Sequence, residues 1–96
     1  MLFQVEMTVT IPLDFDPAEA DRIKATEKAY SLELQKTGEW RHIWRVVGQY
    51  ANVSIFDVAS NQRLHEILAG LPLYPFMSIK ITPLCRHPSS VREDDR

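Results

Sequence analysis

The first segment of the chain alternates strictly between apolar and polar residues, and Pro12 ends the pattern. The apolar positions are Phe3, Val5, Met7, Val9 and Ile11. A period of two residues is typical of a strand with one buried face. The pattern therefore predicts a first strand whose apolar side chains lie on the core.

Two later segments have the signals of helices. Asp16 can cap a helix, Pro17 suits its first position and Gly38 is the matching stop, so a helix is predicted over about 17–37. Ser60 can cap a second helix, whose apolar residues recur at helical spacing. Those residues are Leu64, Ile67, Leu68 and Leu71.

Three further strands complete the pattern. Residues 40–47 and 50–58 are predicted strands joined by a type II′ turn at Gly48 and Gln49. After an extended connection at Pro72 and Pro75, residues 77–82 alternate again. The order βαββαβ predicts an α+β, ferredoxin-like fold, in which two helices lie on one face of a four-stranded antiparallel sheet. Residues 1–85 are predicted to form this single domain, and the polar residues 86–96 are predicted to form an extended C-terminal arm.

Apolar residues alternate onto both faces of the second predicted strand, with Trp40, Trp44 and Val46 on one face and Ile43 and Val47 on the other. Two helices cover only one face of a sheet, so this strand predicts a homo-oligomer. The alternative is that the long stems of Arg41 and Arg45 cover the second face.

Composition excludes several classes of function. The formal net charge of −2 argues against a nucleic-acid-binding protein, and no apolar run is long enough to span a membrane. The single cysteine, Cys85, cannot form an intrachain disulfide, which fits a reducing cytoplasm. The three histidines are scattered without metal-ligand spacing, so no metal site is expected.

The apolar stripe of the first predicted helix contains one charged residue. The stripe includes Ala20, Ile23, Tyr30 and Leu34, and Glu27 falls near its centre at about 100° of rotation per residue. A carboxyl group that faces the sheet loses hydration, which raises its pKa toward the range of a general base at neutral pH. The alternative is a rim residue that reaches solvent or pairs with a strand arginine.

Cationic side chains flank this position. Lys24 can reach over the helix shoulder to a cleft, or it belongs to a solvated helix face. Arg41 and Arg45 alternate onto one face beside Trp40 and Trp44, where two guanidinium groups can seat a small carboxylate. The alternative is that both arginines form interface salt bridges.

Four longer segments carry a resemblance to a known family: LFQVEMTV, GEWRHIWRVVGQYANVSIFDV, LHEILAGLPLYPFM and LCRHPSS. In this order and spacing, over nearly the whole chain, they resemble the muconolactone Δ-isomerase family. The resemblance implies ferredoxin-like subunits in an oligomeric α+β barrel assembly, a decamer. It also implies conversion of muconolactone to 3-oxoadipate enol-lactone without a cofactor, in the β-ketoadipate route downstream of catechol.

The implied reaction gives each candidate residue a role. Glu27 is expected to shuttle the proton and Lys24 to stabilise the developing oxyanion. The expected substrate-binding residues are Arg41 or Arg45 for the carboxylate, and Trp40, Trp44 and Tyr50 around the ring. Two other functions stay open: a chloromuconolactone dehalogenase that uses nearly the same pocket, and a non-catalytic α+β barrel module that binds a ligand.

Overall fold

A computed structural model describes residues 1–95, so Arg96, the last residue of the predicted arm, lies outside the described residues. The strands are β1 (Leu2–Val9), β2 (Trp40–Arg45), β3 (Ala51–Asp57) and β4 (Met77–Leu84), and the helices are α1 (Pro17–Thr37) and α2 (Asn61–Ala69). The strands form one sheet in the order β2-β3-β1-β4, and each neighbouring pair is antiparallel. The predicted ferredoxin-like fold is therefore confirmed.

Both helices begin and end with the local contacts that their sequences predict. The Asp16 carboxylate accepts a hydrogen bond from the backbone N–H of Glu19, and Gly38 ends α1 in the left-handed conformation with φ of 88°. The Ser60 hydroxyl accepts a hydrogen bond from the backbone N–H of Arg63 at 3.1 Å and caps α2. The predicted bounds of α1 and the predicted start of α2 are therefore confirmed. Leu71, which the apolar spacing predicts to belong to the second helix, lies two residues beyond its end at Ala69, because Gly70 ends the helix first.

The hydrophobic core lies between the sheet and the two helices. Alternate residues of β1 contribute Phe3, Val5 and Met7, which are all nearly inaccessible to solvent. Helix α2 contributes Leu64, Ile67 and Leu68, and α1 contributes Leu34 from its last turn. The opposite face of the sheet is covered by neither helix.

Strand β2 contains a bulge at Arg41. Trp40 lies opposite Phe56 and His42 lies opposite Ile55, so an extra residue of β2 stands between adjacent residues of β3. A bulge of this kind reverses the alternation of side chains beyond it.

The bulge decides which side chains of β2 share a face. Ile43 and Arg45 join Trp40 on the helix-covered face, while Trp44 points to the uncovered face. The prediction that Trp40 and Trp44 share a face is therefore wrong, and so is the prediction that Arg41 and Arg45 do. Simple alternation failed because it assumed an unbroken ladder.

The two connections around β3 and β4 differ from their predictions. In the β2–β3 loop, the N–H of Gln49 donates to the carbonyl of Val46 at 3.1 Å, so Gly48, with φ of 78°, occupies the third position of the turn. A type II turn requires a positive φ at its third position, so this turn is type II. It begins at Val46, one residue earlier than the predicted type II′ turn. The connection before β4 is not simply extended, because Tyr74–Phe76 forms one turn of 3-10 helix.

Residues 86–95 contain no helix or strand and return to β2. Arg41 holds their end, since its guanidinium lies 3.1 Å from a carboxylate oxygen of Asp94 and 2.9 Å from one of Asp95. The same guanidinium lies 3.8 Å from Asp57 of β3. The bulged arginine is therefore surrounded by carboxylates.

Candidate active site

A cavity of about 440 Å³ lies between the middle of α1 and the helix-covered face of the sheet. Helix α1 lines one side with polar residues: Lys24, Glu27, Lys28 and Ser31. Strand and loop residues line the other side, and several of them are apolar: Val9, Trp40, Ile43, Leu73 and Met77. The cavity therefore combines an apolar wall with charged groups on the helix side.

Glu27 lies on the cavity wall at the position that the apolar stripe of α1 predicts. Its Oε1 accepts a hydrogen bond from the backbone N–H of Leu73 at 2.9 Å. Burial raises the pKa of the Glu27 carboxyl above its ordinary value, and the bond from Leu73 opposes part of that rise. Among residues 1–95 no side chain bonds to Oε2, so this oxygen can receive a proton from a bound molecule.

The 3-10 turn explains how Leu73 reaches the helix. The N–H of Tyr74 donates to the carbonyl of Leu71 and the N–H of Phe76 donates to that of Leu73, which folds the Pro72–Pro75 connection back toward α1. A predicted extended connection would not have placed a backbone donor at Glu27. The hydrogen bond holds the carboxylate in one orientation while leaving it partly buried.

Two cationic side chains face the same aromatic ring at the cavity. Lys24 Nζ lies 5.6 Å from the centroid of the Tyr50 ring, and the guanidinium carbon of Arg45 lies at the same distance. Arg45 also donates to the backbone carbonyl of Gln49 at 3.3 Å. Within residues 1–95 neither cation forms an ion pair, so both charges can meet an anionic ligand.

Trp40 closes the inner end of the cavity. Its ring packs on Phe56 with centroids 4.8 Å apart, and only 2% of its surface is exposed. The indole Nε1–H is buried without a hydrogen-bond partner in the described part of the chain. Such unpaired donors are rare in folded proteins.

The structure brings five of the seven predicted site residues to this cavity and places two elsewhere. The five are Glu27, Lys24, Arg45, Trp40 and Tyr50. Arg41 instead pairs with the carboxylates of the C-terminal segment. Trp44 lies on the uncovered face, where its ring stacks on His42 at 5.0 Å. The predicted grouping of all seven residues is therefore corrected by the bulge.

Sequence reasoning missed several polar residues of the cavity, chiefly Asn52, Ser31 and Lys28. A signal for the bulge was nevertheless present. Trp40 and Ile43 are both large and apolar but stand an odd number of positions apart, which a regular half-buried strand does not favour. A bulge between them shifts Arg45 onto the covered face, where it pairs with Asn52 of β3.

Within residues 1–95, no group of three or more His, Cys, Asp or Glu side chains is arranged to hold a metal ion. No described helix is both long and apolar enough to cross a membrane.

Comparison with known proteins agrees with the fold and with the sequence segments noted above. The family model described as muconolactone delta-isomerase matches residues 1–90. The chain belongs to the muconolactone delta-isomerase family. It is 62% identical to the Muconolactone Delta-isomerase of Acinetobacter baylyi over 95 residues, which are 99% of each chain.

Two further members of the family match over the full length. The Muconolactone Delta-isomerase of Pseudomonas aeruginosa is 55% identical over 96 residues, which are all of both chains. A crystal structure of muconolactone isomerase superposes with a TM-score of 0.95 at 55% identity and covers both chains completely. The chain therefore matches the family in both its sequence and its backbone structure.

The arrangement suits proton transfer on an anionic substrate. One carboxylate with a raised pKa stands across an apolar cavity from Arg45, and Lys24 lies beside it on the same helix. Three cations and one carboxylate line the cavity among the described residues, since Lys28 joins the other two. This charge balance favours a bound anion.

Proposed function

We propose that the chain isomerises muconolactone to 3-oxoadipate enol-lactone by a cofactor-free 1,3-proton transfer. The observation that carries this proposal is the half-buried Glu27 carboxyl, which has a raised pKa and a hydrogen bond to Leu73 at the wall of a cationic cavity. The names of the family members support the same reaction.

One base can serve both carbons of this reaction, on a single face of the ring. Glu27 removes the proton from the ring carbon that bears the carboxymethyl arm, and the electron pair moves through the double bond to the lactone carbonyl. The resulting dienolate is a 2-oxyfuran, an aromatic ring, which makes the carbon acid strong enough for a carboxylate of raised pKa. Glu27 then returns the proton to the carbon next to the carbonyl, and the double bond has shifted.

The cationic groups have separate roles in this proposal. Lys24 stabilises the negative charge that develops on the carbonyl oxygen, because it lies one helical turn from Glu27 on the same side of α1. Arg45 binds the carboxylate of the substrate, and its guanidinium can make two parallel hydrogen bonds with it. Tyr50 and Trp40 contact the ring. Arg41 and Trp44 have no contact with the substrate in this subunit.

The proposal includes a cytoplasmic homo-oligomer, a decamer as the family resemblance implies, whose subunit has a domain of residues 1–85 and an arm of residues 86–96. In support, Trp44 is 56% exposed on the uncovered face, beside its cross-strand partner Val53. An apolar patch on a sheet face that no helix covers fits contact with a second subunit. Light scattering that gave the mass of one 11.1 kDa chain would contradict this assembly.

The test is ultraviolet absorbance on mixing the protein with muconolactone after exhaustive chelation and dialysis, with the product identified by NMR. We expect 3-oxoadipate enol-lactone and an acid limb in the pH profile above the ordinary pKa of a glutamate, because Glu27 must be ionised to act. Chloride release only from a chlorinated lactone would indicate a dehalogenase instead. Binding without conversion of either compound would indicate a non-catalytic module.

A further inference from the structure

One residue on the helix-covered face of β3 is polar although it is completely buried. Ser54 is 0% exposed, and its cross-strand partners are the apolar residues Val5 and Ile43. A hydroxyl group in apolar surroundings destabilises the fold unless it forms a hydrogen bond. The Ser54 hydroxyl donates to Oδ1 of Asn52 at 2.7 Å.

This bond orients the amide of Asn52. Because Oδ1 is engaged by the hydroxyl, the two N–H donors lie on the other branch of the amide. Nδ2 has no hydrogen-bond partner among residues 1–95, and Asn52 lines the cavity. A buried hydroxyl therefore keeps a pair of donors at the cavity without an acceptor from the described chain.

Asn52 also stands next to the cation of the strand side. It is the direct cross-strand partner of Arg45, and both residues line the cavity. Side chains at such paired positions have Cβ atoms about 5 Å apart, so one small group can contact both. A neutral donor beside a guanidinium complements a carboxylate. Among the described residues of the cavity, Glu27 is the one carboxylate that could occupy these donors, and it belongs to the opposite wall.

We propose that Asn52 is a substrate-binding residue that holds the carboxylate of the substrate together with Arg45, and that Ser54 is its positioning residue. The inference rests on the proposed function and deepens it. It divides the cavity into a strand side that anchors the carboxylate and a helix side, with Glu27 and Lys24, that moves the proton.

Two substitutions of Asn52 test the anchor. Asn52→Leu removes both polar groups at similar size, and we expect KM to rise roughly 10-fold, the usual effect of losing a hydrogen bond to a charged group. Asn52→Asp keeps the acceptor for Ser54 but removes the donors and adds a like charge, so KM should rise further. In both variants kcat should stay within about threefold, because the anchor contacts the ground and transition states alike.

The positioning role has its own test and control. Ser54→Ala leaves the Asn52 amide free to turn, so KM should rise by a smaller factor while kcat is kept. Gln62→Glu makes the same amide-to-acid change at an exposed position of α2 that lines no described part of the cavity, and it should leave KM unchanged.

A binding measurement separates this inference from the proposed function. The two probes are the saturated lactone acetate, which cannot isomerise, and the carboxamide of the same compound. Calorimetry on each folded variant gives the ratio of the two affinities. We expect Asn52→Leu to lower the preference for the acid over the carboxamide. Unchanged KM and an unchanged ratio would overturn the inference while conversion by the native protein stands. Failure of the native protein to convert muconolactone would overturn the proposed function, and a lowered ratio would still support a carboxylate anchor.

Discussion

The two helices cover the same face of the sheet but differ in how many of their side chains are buried. Helix α2 has nine residues, and its inward side chains Leu64, Ile67 and Leu68 are at most 3% exposed. Helix α1 has 21 residues, yet only Ala20 and Leu34 are buried. Between those two positions it carries Glu27 and leaves a cavity above the sheet. The region packed under α2, here called the α2 half, therefore provides most of the core. The region between α1 and the sheet, here called the α1 half, provides the site.

This division predicts that stability and activity respond to substitutions in different places. A change in the α2 half should alter the free energy of unfolding and spare turnover per folded molecule. A substitution at the cavity should lower turnover and leave the free energy of unfolding nearly unchanged. The experiments below test the division, beginning with the largest expected effect.

Glu27→Gln should give the largest loss of activity. General base catalysis is worth roughly 10²–10⁴-fold, so kcat should fall by about that factor. The amide oxygen can still accept from Leu73, and removal of a partly desolvated charge should leave the melting temperature at neutral pH unchanged or higher. Steady-state kinetics and thermal unfolding on one preparation measure both effects.

Glu33→Gln on the exposed face of α1 is the matched control, since it removes only a surface pair with Lys36. It should change neither quantity. Normal kcat in a well-folded Glu27→Gln protein would remove Glu27 from the mechanism.

Ile67→Ala should have the largest effect on stability. Ile67 is 0% exposed within the core under α2, and truncation of a buried isoleucine costs about 2–5 kcal/mol of unfolding free energy. The cavity is formed by other residues, so kcat per folded molecule should be kept at a temperature where the variant is folded. Denaturant unfolding and active-site titration give the two values. A collapse of kcat without loss of stability would contradict the division between the halves.

Arg45→Ala and Arg41→Ala form a pair that tests the bulge. Arg45 lines the cavity, so its loss should raise KM by roughly 10- to 100-fold, as expected for a charged hydrogen bond to a carboxylate. Arg41 contacts Asp94 and Asp95 outside this cavity, so its loss should leave KM within about twofold. Equal effects on KM would show that simple alternation, not the bulged ladder, describes β2 in solution.

Glu39→Gln should have the smallest effect on stability of these substitutions. It tests the α2 half, because Glu39 pairs with Arg63 of that helix. Glu39 accepts two hydrogen bonds from Arg63 at 2.8 Å, which hold the pKa of the Glu39 carboxyl below its ordinary value. A lowered pKa in the folded state contributes stability above the unfolded pKa, and that stability is lost as pH falls through the folded pKa. The pair is partly exposed to solvent, so its contribution to the free energy of unfolding is small.

The difference in melting temperature between Glu39→Gln and the native chain should therefore be present at pH 7 and shrink in acid. Thermal unfolding across this pH range measures it. A difference that grows as the pH falls would contradict the assigned role of the Arg63 pair.

Local sequence signals were sufficient for the order of the helices and strands and for the position of the candidate base. Asp16, Pro17 and Gly38 mark the ends of α1 because capping depends on neighbours in the chain. Glu27 could be singled out because a helix has a regular period, so a charge on an apolar stripe is visible without coordinates. The same reasoning failed for Arg41 and Trp44, because a single bulge changes the parity of every residue after it.

The sequence by itself determined the order of strands and helices, the face that each helix buries and the candidate base, since each depends on periodicity or on contacts within a few residues. Only the tertiary structure decided which strand residues meet that base. The ladder between β2 and β3 places Arg45 beside Asn52, and the 3-10 turn brings the N–H of Leu73 to Glu27. These contacts join residues far apart in the chain, and their geometry depends on strand register and turn closure, which local periodicity alone does not fix.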